Sequence, residues 1–172
     1  MARRAFFSFH YQRDIWRVNQ VRNSWVIRPG IQQTVWYDAS LWEETKKKGN
    51  AALERLINDG LTNTSVTVVL IGAETSQRKW VNYEIQESHR CKKGLLGIYI
   101  HNLKNRLGQT DFKGKNPFDN FYIEKERTMG PLVTIKNQVY FSELYPTYDW
   151  TLNDGYKNIG SWIEAAANKA GR

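Results

Sequence analysis

The sequence predicts an α/β fold, a mostly parallel β-sheet with helices on both faces. Two observations carry this expectation. Val66-Thr-Val-Val-Leu-Ile71 is almost wholly apolar and β-branched, the composition of a strand covered on both faces. Similar runs alternate with stretches of helical periodicity through short connections along the first hundred residues, the pattern of a parallel sheet. A length of 172 residues suits one domain with a full core. No repeat, low-complexity tract or linker divides it, so residues 1–172 are read as a single domain.

The first strand is Ala5 to Phe9, running into Ser8-Phe9-His10-Tyr11. From Asp14, a candidate helix cap, Ile15, Val18, Val21 and Trp25 follow helical spacing until Pro29-Gly30. Thr34-Val-Trp-Tyr37 reads as the second strand, closed by Asp38. Ala39 to Gly49 reads as a loop holding Trp42 and the cationic run Lys46-Lys-Lys48. Leu53, Leu56 and Ile57 then give a helix face, and Gly60 stands where a left-handed C-terminal cap is wanted. Thr62 to Ser65 is turn chemistry leading into the central strand, Val66 to Ile71, which Gly72 ends. Thr75 and Ser76 are candidate caps of a helix that carries Trp80 and Glu84 one turn apart on one face.

Leu95 to Ile100 is the fourth strand. Between Asn102 and Asn137 regularity fades, and Gly108, Gly114, Asn116-Pro117 and Gly130-Pro131 punctuate an irregular loop region, 102–137. Phe112, Phe118, Phe121 and Tyr122 within it argue for packing rather than disorder. Gln138 to Phe141 is the expected fifth strand, and Ile159, Trp162, Ile163 and Ala166 mark a last amphipathic helix. Five strands alternating with helices predict a flavodoxin-like three-layer sandwich of strand order 2-1-3-4-5. In that order the loop after the first strand, Ser8 to Tyr11, and the start of the Glu84 helix flank one crevice at the C-terminal ends of the strands, where open α/β sheets bind ligands.

A formal charge of +8 and a pI near 9.6 suit anionic partners. The Lys and Arg residues are dispersed rather than massed, which argues against nucleic acid as the functional ligand. Cys91 is the only cysteine, so no intrachain disulfide forms and a reducing compartment is expected. With no apolar signal core and no run approaching a membrane span, the chain reads as soluble and cytoplasmic, without a membrane partner.

Several chemistries lack their motif. There is no G-x-G-x-x-G, no G-x-x-x-x-G-K-[ST] and no G-x-S-x-G, and His10, His89 and His101 lack metal-ligand spacing, so no metal site is expected. What remains is one carboxylate, Glu84, close to aromatic and basic groups. By pattern alone such a Glu is most often a solvated helix residue, Trp80 most often core and His10 most often a loop histidine.

Taken together, these segments resemble TIR domains. Phe6-Phe-Ser-Phe-His-Tyr-Gln-Arg-Asp14 is similar to their first box, and Val35-Trp-Tyr-Asp38-Ala-Ser-Leu41 to their second strand and the following loop. Val68-Val-Leu-Ile71 with Arg78-Lys-Trp-Val-Asn-Tyr-Glu84 is similar to the third strand and the W-x-x-x-E helix of NAD-cleaving TIR enzymes. Within that superfamily the three segments are most similar to the TIR-like B proteins of bacterial Thoeris antiphage systems. The resemblance covers about the first hundred residues, with Tyr148-Asp-Trp150 and Asp154-Gly-Tyr156 also fitting.

The resemblance implies an enzyme that consumes NAD as substrate, needs no separate cofactor, releases nicotinamide and makes an ADP-ribose product, often cyclic. That product would signal infection, after a phage-derived trigger, to a sirtuin-like or other effector, and self-association through TIR contacts is implied as well. Glu84 would be the catalytic carboxylate, with Ser8, Phe9, His10, Tyr11, Asp38, Trp42 and Trp80 at the NAD site. Phe9, Tyr11 and Trp42 are the rings expected to stack on the nucleotide. The alternative is a non-catalytic TIR-like assembly module, which has no need of the Trp80 and Glu84 pair.

Overall fold

The computed structural model describes residues 3–26, 37, 39–128 and 134–172. Among the described residues, four parallel strands form the main sheet in the order β1 (Ala5–Phe9), β2 (Val66–Ile71), β3 (Gly94–Tyr99) and β6 (Thr147–Asp149). Register runs Ala5 against Val66, Val66 against Gly94, and Gly97 against Thr147. Every residue of β2 is buried, as its apolar composition requires of a central strand. The parallel sheet covered on both faces is therefore the expected one. The expected strand at 34–37 lies, but for Tyr37, outside the described residues, as does Asp38.

Side chains alternate across the sheet. Phe7, Val68, Leu70, Leu96 and Ile98 point to one face, where α1 (Tyr11–Val26) and α6 (Gly155–Lys169) cover them with Val18, Val21, Ile159 and Ile163. Val69, Ile71 and Leu95 point to the other, under Val81 and Ile85 of α4 (Lys79–Arg90). Phe6 joins them there against Ile57 and Leu61 of α3 (Asn50–Leu61). By the same alternation Ser8 and Thr67 face α3 and α4, so this side of the sheet carries two hydroxyls among its apolar positions.

Several local expectations change in three dimensions. Asp14 is no cap: α1 begins at Tyr11, and the Asp14 N–H already bonds the His10 carbonyl at 3.1 Å. Its carboxylate is fully buried near Arg17, 3.7 Å away, and burial lifts its pKa to about 6 against the opposing pull of Arg17. Ala39 to Lys47 is not a loop but a helix, α2, which a Glu44–Lys48 pair at 3.0 Å extends on its solvent face. Gly60 sits inside α3, which ends at Leu61; Thr62 follows it and bonds back to the Asn58 carbonyl. Thr75 and Ser76 belong to a single 3-10 turn, Thr75–Gln77, and α4 starts after an extended Arg78 with no side-chain cap.

The fifth strand of the sheet is not Gln138 to Phe141. Phe141 opens the short helix α5 (Phe141–Leu144), and Gln138 to Tyr140 pairs antiparallel with β4 (Tyr122–Thr128) as part of β5 (Thr134–Tyr140), an exposed hairpin separate from the main sheet. Its alternation satisfies a hairpin as well as a sheet edge, whereas the real edge strand, Thr147–Asp149, is three half-buried residues too short to show a period. Among the described residues, the 102–137 region is accordingly irregular mainly up to Asn116. Phe118 is fully buried and Phe121 packs on Phe141 at 5.5 Å between ring centroids, but Phe112 and Tyr122 are exposed.

Candidate functional site

The buried stripe of α4 is Val81, Glu84, Ile85 and Ser88, the i, i+3, i+4, i+7 spacing of a core-facing helix. A carboxylate therefore occupies a position where the pattern calls for an apolar residue. Glu84 is only 4% exposed. Its neighbours follow from the alternation of the strands beneath. Ser8 of β1 donates its hydroxyl to Glu84 Oε2, and one turn on, Ser88 donates to the Glu84 carbonyl at 2.6 Å and meets the Thr67 hydroxyl of β2 at 2.7 Å. The two hydroxyls of this sheet face thus hold the two polar members of the helix stripe. Burial pushes the Glu84 pKa up to about 8, and the bond from Ser8 opposes it. No cation is paired with Glu84 among the described residues, so the free site keeps this proton at neutral pH.

Glu84 opens into a cavity of about 400 Å3 at the C-terminal end of β1, between the start of α1, α2 and the start of α4. Its size lies in the range of small-molecule sites. One wall is aromatic. Trp42 lies 6.3 Å from Tyr37 and 6.4 Å from Trp80, the latter edge-on, and Trp80 meets Tyr83 edge-on at 5.9 Å. The Tyr37 hydroxyl reaches the Leu56 carbonyl over Gly60, where any Cβ would collide with it. Burial, with Glu84 nearby, pushes the Tyr37 phenol upward, so it stays neutral.

The rim is cationic. Among the described residues, Lys46, Arg78 and Lys79 stand around the opening together with the acid Glu43, and Lys79 Nζ sits 4.7 Å over the Trp80 ring. Arg78 is paired with Glu74, which also holds Arg13 at 3.0 Å. His10 lines the same cavity, and its Nδ1 is enclosed with no hydrogen-bond partner among the described residues. Burial first, and the Arg78 charge second, lower its pKa, leaving a neutral imidazole.

Of the residues expected at the site, Phe9, His10, Tyr11, Trp42, Trp80 and Glu84 line this one cavity. Ser8 is buried behind the wall and touches Glu84 instead. Asp38 lies outside the described residues. Tyr37, Glu43, Arg78 and Lys79 line the cavity as well, beyond the residues expected there. The signal for Arg78 and Lys79 was their place immediately before Trp80; Tyr37 and Glu43 are brought in by the α2 and α3 packing, which no local pattern announces.

Chemically, the arrangement offers a dry carboxyl group beneath a slot with aromatic walls and a basic mouth. It suits a ligand that carries a ring system, a developing or fixed positive charge and phosphates. A family model described as "Thoeris protein ThsB, TIR-like domain" matches residues 6–105, which span β1 through β3 and hold Glu84 and the residues named above. A protein of Bacillus cereus (strain MSX-D12), named "Putative cyclic ADP-D-ribose synthase ThsB1", is 40% identical over 193 residues, covering 95% of this chain and 100% of that protein. With a family model over more than half of its length and a relative aligned along nearly all of it, the chain belongs to the TIR-like ThsB proteins of Thoeris systems.

Proposed function

We propose that this chain cleaves the bond between nicotinamide and ribose in NAD and closes the remaining ADP-ribose into a cyclic signalling molecule for antiphage defence. One observation carries the reading: a solvent-excluded glutamate, with no cation paired to it among the described residues, at the base of an aromatic cavity with a cationic rim. Losing nicotinamide develops positive charge on the ribose, and a carboxylate beside that carbon stabilises it. Nicotinamide leaves as a neutral molecule, so no general acid is required.

Glu84 enters the reaction protonated, with a pKa near 8, and the pyridinium of NAD is the cation its pocket lacks. Binding of that charge favours the ionised carboxylate, which is then in place when the ribosyl cation forms. A nucleophile of the same ADP-ribose attacks C1 of that ribose and loses its proton; the overall change is NAD to cyclic ADP-ribose, nicotinamide and a proton. The aromatic walls at Phe9, Tyr11, Trp42 and Trp80 flank the rings of the substrate and exclude water, which favours closure over hydrolysis. Lys46 and Arg78 face the diphosphate, and His10 Nδ1, without a partner among the described residues, offers it or the ribose a polar contact. Ser8 holds Glu84, and Asp38 completes the set in this reading.

In the cell, residues 1–172 work as one cytoplasmic TIR-like unit that associates with further copies, responds to a phage-derived trigger and acts on a sirtuin-like or other effector through its product. No described helix is long and apolar enough to cross a membrane. The test is incubation of the purified protein with NAD, with and without phage-infected lysate, followed by mass spectrometry. The expected result is nicotinamide together with a species isobaric with cyclic ADP-ribose, both absent with Glu84→Gln. A wild-type protein that releases no nicotinamide under either condition would put the non-catalytic assembly reading first.

A further inference from the structure

The irregular segment after β3 is held far more firmly than its sequence suggests. Arg17, buried on α1, donates from Nε to the Leu103 carbonyl at 2.8 Å and from Nη2 to the Gln109 carbonyl at 3.2 Å. Arg13 grips Asp111 through two bonds of 3.2 and 3.0 Å, and Gln20 donates to the Lys104 carbonyl at 2.7 Å. At the tip, the Asn105 side chain accepts the N–H groups of Leu107 and Gln109 at 2.9 and 3.0 Å. Gly114 presses against the Gly72 carbonyl, where a Cβ would not fit.

This fixed backbone displays large apolar side chains to solvent. Leu107 is 71% exposed and Phe112 84%. Trp16, 52% exposed, stands on α1 three residues after Arg13 and four before Gln20, both of which touch the loop, so it shares their side of the helix. In the same loop Lys104, Arg106, Lys113 and Lys115 are all exposed, Lys113 with its Nζ 4.5 Å over the Tyr99 ring. Two acids at the loop are engaged within the chain, Asp111 by Arg13 and Arg17, and Glu74 by Arg13 and Arg78. The surface is thus apolar at its projections and cationic around them, on a backbone that loses little freedom when bound. Those are the properties of a preorganised binding surface rather than of a solvated loop.

We propose that the outer side of α1 and the 103–116 loop form a docking surface for a protein partner that presents an acidic rim around an apolar recess. The cations face carboxylates of the partner, and Leu107 and Phe112 enter the recess. A protein fits better than a nucleic acid strand because Leu107 has no ring to stack on a base, and the loop offers a projecting tip rather than a groove. The surface also shares α1 with the cavity of Glu84, since Tyr11 and Gln12 at the start of that helix line it. This proposal does not depend on NAD cleavage.

The test uses fluorescence anisotropy with three labelled peptides of equal length: one alternating Glu with Leu and Phe, one with Ser in place of the apolar residues, one with Lys in place of Glu. The wild-type chain should bind the first at least about tenfold more tightly than either control. Leu107→Ser with Phe112→Ser should lose about tenfold of that affinity, and Lys104→Glu with Arg106→Glu should lose a similar factor that shrinks at high salt. Both double variants should keep the wild-type melting temperature, because the changed side chains are exposed. Equal binding of the three peptides, or unchanged binding by the variants, would overturn the proposal. So would tighter binding of oligothymidylate or phosphatidylglycerol vesicles by the wild type that the same variants abolish.

Discussion

Glu84→Gln separates the charge of the buried group from its shape. The amide keeps the volume and an oxygen to accept the Ser8 hydroxyl, but it cannot ionise. In the wild type the folded pKa is near 8, against an ordinary 4.5. The native chain therefore holds this proton more tightly than the unfolded chain does. Its contribution to stability is fully present below about pH 4.5 and is lost as pH rises through about 8, at up to about 1.4 kcal/mol for each pH unit between those limits. Urea denaturation across about pH 5 to 9 should show wild-type stability falling by a few kcal/mol relative to Glu84→Gln. Other titrating groups such as Asp14 and His10 are common to both proteins, so the difference between the two curves isolates Glu84. Activity should run the opposite way. Wild-type kcat/KM should rise with pH towards about 8, because the free enzyme must lose this proton to be productive. Glu84→Gln should stay at least about a hundredfold lower at every pH, roughly 3 kcal/mol of transition-state stabilisation. Parallel stability curves, or normal NAD turnover by a well-folded Glu84→Gln protein, would refute the reasoning.

Further outcomes follow from the neighbours of Glu84. Ser8→Ala removes a hydrogen bond that favours the ionised carboxyl, so the protein should fold and the rise of kcat/KM should move to higher pH; an unshifted profile would show that Ser8 does not act on the charge. Trp42→Ala and Trp80→Ala each break two ring contacts, so each should lower stability by about 1–3 kcal/mol as well as NAD use, measured by thermal melting and turnover. An unchanged melting temperature for Trp42→Ala would mean its ring serves the ligand alone. Glu87→Gln should keep full NAD turnover, since Glu87 lies three residues along α4, outside the cavity, and pairs with Arg90 at 2.7 Å.

What the sequence determined by itself is what local periodicity encodes. Val66 to Ile71 reads as a buried strand because every residue is apolar or β-branched, and Ile159, Ile163 and Ala166 mark the buried side of α6 because they recur every three to four residues. The crevice was legible for the same reason: once the order of strands and helices is known, the end of β1 and the start of α4 must meet. The environment of Glu84 was not legible, because a Glu one turn from a Trp is read from its own helix as solvated. It becomes buried only when β1 and β2 slide beneath α4 with Ser8 and Thr67 turned towards it, a match between residues far apart in the chain. The place of Asp14 is ambiguous in the same way, since an acid near a helix start serves equally well as an exposed cap or as a buried partner of Arg17. The last strand is not legible because three residues carry no period, and the hairpin uses a stretch that alternates just as a sheet edge does. Only tertiary structure decides such cases. Periodicity states which side of an element is apolar, whereas the neighbours that desolvate a charge or pair a strand are chosen by packing between distant elements.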